Sequence, residues 1–152
     1  MHHLMKRSGT HLRFGFVLAV ALSLLAVGCG DDESTLSRAE FTRRADALCA
    51  KNGKTVGRIV GRVFGAPDRD PGDRQRALDD LIAAARELHS ELSDLRPPSE
   101  LSDGVRGWLA ALAEATDAAE AQGSPAYWES KDDPWTGANA KAADLGLKAC
   151  SG

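Results

Sequence analysis

The sequence predicts an all-α domain, a four-helix bundle with a disulfide between the first helix and the C-terminal tail. Apolar residues recur with helical spacing in four segments between residues 36 and 147. Capping residues, prolines and glycines punctuate the ends of these segments. No segment shows the period-2 alternation of a half-buried strand. Cys49 and Cys150 stand near the two ends of the helical region.

The chain begins with an address. Lys6, Arg7 and Arg13 form a positive n-region, and an apolar run from Phe16 to Val27 follows, ending in Gly28 and Cys29. That run is short for a transmembrane helix, which needs about 20 residues. The block Leu25-Ala26-Val27-Gly28-Cys29 resembles a bacterial lipobox. The resemblance implies that residues 1–28 are a lipoprotein signal peptide and that Cys29 is lipidated and becomes the mature N-terminus. The expected location is then the outer face of the cell membrane, held by the lipid. Residues 29–35 are a polar, acidic tether, and residues 36–152 are the helical domain.

Helix 1 opens at Ser37, with Glu40 three residues on, as a capping box; Leu36 and Phe41 occupy the positions of a hydrophobic staple. It runs from about Arg38 towards Phe64. Phe41, Ala45, Leu48, Cys49, Val56, Ile59, Val60 and Val63 fall on one sector at about 100° per residue. Asn52 lies in that sector, where a hydrogen-bonded core residue is the commoner role and a ligand group the alternative. Gly53, Gly57, Gly61 and Gly65 recur every fourth residue. They offer either a smooth surface for a close helix neighbour or a break at Asn52-Gly53. The apolar phase survives across them, which favours one continuous helix. Lys51, Lys54, Arg58 and Arg62 lie opposite. Such a stripe fits an anionic surface, but pairing with the acidic remainder is the more ordinary role.

Ala66 to Gly72 reads as a loop, and helix 2 as Asp73 to Leu95, ended by Pro97-Pro98. Its stripe is Leu78, Leu81, Ile82, Ala85, Leu88, Leu92 and Leu95. Helix 3 runs from about Glu100 to Gln122, with Leu101, Val105, Trp108, Leu109, Leu112, Ala115 and Ala119 inward. A polar stretch carrying Tyr127 and Trp128 leads to Asp133-Pro134, an N-cap with proline at N1. A short helix 4 with Trp135, Ala138, Ala142 and Leu145 closes at Gly146.

Three of the chain's 19 bases lie in the leader, which has no acid, so residues 29–152 carry 16 bases against 22 acids, a formal charge of −6. An acidic body of this kind is a poor partner for nucleic acid. His2, His3 and His11 leave with the leader, and His89 remains. No carboxylate or thiol stands three or four residues from it, so it reads as a core-edge histidine and no metal is expected. The carboxylates Asp79, Asp80, Glu87, Glu91 and Asp94 read as the solvent face of helix 2. There is no Gly-x-Ser-x-Gly elbow, phosphate-cradling glycine loop or His-Glu-x-x-His, so no catalytic residue is nominated and no cofactor is expected.

With Cys29 lipidated, Cys49 and Cys150 remain, in a compartment where disulfides persist. Their spacing fits no metal or redox motif, and a structural staple is the expected pairing. Phe41-x₃-Ala45-Asp46-x₂-Cys49, with Gly146-Leu147-x₂-Cys150, resembles a family of small helical lipoproteins and secreted domains of high-GC Gram-positive bacteria. The family implies the same disulfide and supplies no catalytic residues. The expected function is a non-enzymatic binding or interaction module, its partner an envelope protein or a small ligand. Tyr127, Trp128 and Trp135 are the nominated binding residues, because loop aromatics either stack on a ligand or cap the end of a bundle. A small-ligand carrier with an aromatic-lined pocket is the alternative, and a cell-envelope hydrolase a more distant one.

Overall fold

A computed structural model describes residues 35–65 and 70–152. The leader, Cys29, most of the tether and residues 66–69 lie outside the described residues. The fold is all-α, with no strand among the described residues. Its helices are α1 (Arg38–Phe64), α2 (Pro71–Ser93), α3 (Ser102–Gln122), α4 (Ala126–Glu129) and α5 (Thr136–Asp144), with a 3₁₀ turn at Ser99–Leu101 before α3.

α1 is continuous through Asn52-Gly53. Ser37 Oγ accepts from the Glu40 N–H at 3.2 Å, so half of the expected capping box forms. The other half does not, because the Glu40 carboxylate is taken by Arg43 and Arg44, each at 2.7 Å, which hold it down to about 2. α2 begins two residues earlier than the sequence reading placed it. Asp70 Oδ1 accepts from the Gly72 N–H at 3.0 Å and Pro71 occupies the first helical position, where its missing N–H costs nothing. The start of α3 tightens into the 3₁₀ turn, and Tyr127 and Trp128 form a short helix where an irregular stretch was expected. α5 starts after Asp133-Pro134, whose Asp133 Oδ1 accepts from the Trp135 N–H at 2.9 Å.

α1 and α2 are antiparallel, since Lys51 Nζ meets Glu91 at 2.7 Å while Arg62 meets Asp80 at 2.6 Å. α2 packs on α3, and α3 on both α4 and α5. One apolar cluster joins the first half of α1 and the last turns of α2 to α3, α5 and Leu147. A second joins Ile59 and Val63 to Leu78, Leu81 and Ile82, with Tyr127, Trp128 and Trp135 packed against it. The inward stripes of α1, α2 and α3 lie as their periodicity required; Phe41, Leu78, Leu92 and Trp108 are all buried.

The C-terminal tail is fixed by three devices. Gly146, at φ 79°, sits in the left-handed region open to glycine. There the Gly146 N–H donates to Ala143 O and the Leu147 N–H to Ala142 O, a Schellman closure of α5 that drives the fully buried Leu147 into the first cluster. The Ala149 N–H donates to Asp46 Oδ1 at 2.9 Å, and Cys49 and Cys150 form a disulfide with Cα atoms 5.1 Å apart. The residues of the two spaced motifs therefore meet at one place.

Three glycines of the four in the row find no neighbour. A Cβ at Gly53, Gly57 or Gly61 would meet no atom within 4 Å, so these glycines face open space and not a packed helix. Gly57→Ala is expected to raise stability by about 0.5–1 kcal/mol, from helix propensity and a less free unfolded chain. Chemical denaturation checks this; a loss would mean that the face is covered.

Candidate functional site

Beside the disulfide, α1, α2, α3, α4, α5, the α4–α5 connection and the tail line a cleft of about 400 Å³. Cys49 and Cys150 form one end. From Cys49 to Val60 the α1 wall extends about 16 Å at 1.5 Å per residue. The wall changes character along that length. Asn52 and Asn139 stand near the disulfide end, Trp108 and Leu112 come from α3, and Val56, Val60 and Leu81 are aliphatic. An apolar cleft with few polar groups is the ordinary form of a small-molecule site.

Tyr127 and Trp135 line the cleft; Trp128 does not. Trp128 Nε1 donates to Arg74 O at 3.0 Å, and its ring packs edge-on against Phe64 and Tyr127. It closes the end of the helical assembly over the second apolar cluster, and partly shields the otherwise exposed Phe64 (67 % exposed). Trp135 Nε1 donates to Tyr127 Oη at 3.3 Å, fixing the two rings with respect to each other. Burial raises the Tyr127 pKa, and the Asp133 charge adds to this, against the opposing Trp135 hydrogen bond. The hydroxyl therefore keeps its proton at neutral pH and remains a donor.

Periodicity did not single out Asn139 or Asp133 as site residues. Asn139 is half-buried on α5 and joins the cleft only through the packing of α5 on α3, a contact with no local signal. Asn52 was visible as a polar residue in an apolar sector. It is half-buried and lines the cleft. Among the described residues, neither the Asn52 nor the Asn139 side chain has a hydrogen-bond partner in the protein.

Other surfaces offer less. A wider, open furrow of about 770 Å³ between α1 and α2 is lined mostly by exposed groups, including the paired Arg62 and Asp80. Of the basic stripe, Lys51 is bound by Glu91 and Glu87, and Arg58 folds onto Lys54 O and Thr55 Oγ1 of its own helix. His89 is half-buried on α2 and is not part of the cleft. No group of three or more His, Cys, Asp or Glu suited to a metal ion occurs among the described residues, and none of their helices is long and apolar enough to cross a membrane. No protein-family model, curated protein or solved structure matches the chain.

Proposed function

We propose that this is a membrane-anchored, extracytoplasmic lipoprotein whose domain is a non-enzymatic binding module for a small ligand held in the disulfide-flanked cleft. The cleft carries the reading: it is an apolar cavity with a hydrogen-bonded tyrosine–tryptophan pair and two amides that have no partner among the described residues, equipped to hold a molecule, and among the same residues no nucleophile–base pair lines it to transform one. Of the module and carrier alternatives, this geometry favours the carrier form. In this reading α1, α2, α3 and α5 are the members of a four-helix bundle and α4 is its end cap. The lipobox-like block and the charged leader support the anchor, and the two spaced cysteine motifs support kinship with small helical lipoproteins of high-GC Gram-positive bacteria.

The cleft is tested by native mass spectrometry of protein extracted from its membrane, followed by a fragment screen read by tryptophan fluorescence. Trp135→Ala is expected to weaken binding at least tenfold, about 1.4 kcal/mol, while Trp128→Ala lowers stability and spares affinity. A domain that carries no molecule and responds to no fragment refutes the site. The anchor is tested separately: Cys29→Ser is expected to abolish acyl labelling and detergent partitioning, and unchanged labelling would refute it.

A further inference from the structure

The polar groups of the cleft define what it accepts. Trp108 is 2 % exposed and lines the cleft, yet its indole N–H has no acceptor among the described residues. The other two tryptophans are satisfied, by Arg74 O and by Tyr127 Oη. Buried donors in native proteins are nearly always paired, with protein, water or ligand. The Asn52 and Asn139 amides and the Tyr127 O–H are further groups lining the cleft with hydrogen bonds to give.

Charge narrows the class. Among the described residues no arginine, lysine or histidine lines the cleft, and Asp133 is the single carboxylate side chain there, with Gly152 of the tail also on its lining. A carboxylate or phosphate ligand would be desolvated there without a counter-charge. An ammonium group would leave the indole N–H and tyrosine O–H unanswered, since it has no lone pair to accept them. A neutral oxygen accepts the indole N–H and one further donor through its two lone pairs, and an amide or alcohol can also donate to the asparagine carbonyls. Val56, Val60 and Leu81 then cover an apolar body.

We propose that the cleft binds an uncharged amphipathic molecule, an amide or alcohol head on an apolar body, whose oxygen accepts the Trp108 indole N–H beside Asn52 and Asn139. This rests on reading the cleft as the binding site, and the experiment separates the two. The full chain, ¹⁵N-labelled at tryptophan and held in lipid nanodiscs, is titrated with phenylpropionamide, phenylpropylamine and phenylpropionate, with empty nanodiscs controlling for partitioning. The three probes share one apolar body and differ in head charge. Trp108→Phe assigns the indole signal while keeping an aromatic ring.

Phenylpropionamide is expected to move the Trp108 indole signal downfield and to bind about tenfold more tightly than the carboxylate, with the amine in between. Asn52→Ala is expected to weaken the amide several-fold and to reduce its advantage over the amine. Equal or tighter binding of either charged probe in the cleft, or amide binding that leaves the indole signal in place, overturns the ligand class while the cleft stands. A cleft that responds to none of the three overturns both readings.

Discussion

Replacing Cys49 and Cys150 together by alanine is expected to lower the stability of the domain by about 4–5 kcal/mol, the chain-entropy value for a loop of about 100 residues. The bond spans 101 positions and joins α1 to the tail beyond α5, so nearly the whole domain lies inside its loop. Alanine is the appropriate replacement because Cys49 is buried, where serine would add an unpaired hydroxyl. Two contacts work against the full loss: Leu147 stays buried, and Asp46 Oδ1 still accepts from the Ala149 N–H. Guanidinium denaturation of the oxidised protein and the double variant measures the difference. A loss below about 1 kcal/mol would show that the Schellman closure and the Asp46 contact hold the tail without the bond. Because the disulfide is also one end of the cleft, ligand affinity should fall with it even under conditions where the variant remains folded.

Local signals in the sequence account for most of the helical framework. Ser37 marks the start of α1, Gly146 the end of α5, and the stripes of α1, α2 and α3 specify their buried faces. Errors arise where two local signals compete. Asp70-Pro71 and Asp73 are both plausible helix starts, and proline at the first helical position decides for the earlier one. Asp133-Pro134 carries the same signature, but here the helix begins only at Thr136, with the Asp133 side chain turned onto the Trp135 N–H. Glu40 illustrates a different limit: a capping box requires its carboxylate to reach backwards, and two arginines ahead of it in the helix offer charged donors instead.

The cleft was legible only in part, because it is made by long-range packing. Tyr127 and Trp135 stood out as clustered aromatics, and Asn52 as a polar residue among apolar ones. Nothing local distinguishes Trp128, which caps the second apolar cluster, from Trp135, which lines the cleft; the difference is set by which helix ends each ring meets. The glycine row of α1 shows the converse. Its spacing suits close helix packing, but α2 lies against another face of α1, and Gly53, Gly57 and Gly61 are left in open space.

Trp108→Ala is expected to cost about 3–5 kcal/mol, the range for truncating a buried aromatic. The ring belongs to the first apolar cluster with Phe41, Cys49, Leu88 and Leu112, where it is the largest side chain. It also lines the cleft, so truncation does more than leave a void: it joins that void to an existing cavity, and water can enter. The neighbours cannot close the gap by small shifts, because Cys49 is tied to Cys150 and Leu147 is held by the α5 closure. Trp108→Phe separates the two roles of the ring. It retains most of the apolar contact and is expected to cost about 1–2 kcal/mol, while removing an N–H that has no acceptor among the described residues and therefore contributes little to folding. Chemical denaturation of both variants gives the energies. A loss below about 1 kcal/mol for the alanine variant would place Trp108 outside the core and invalidate the inward phase of α3, and with it the wall that α3 contributes to the cleft.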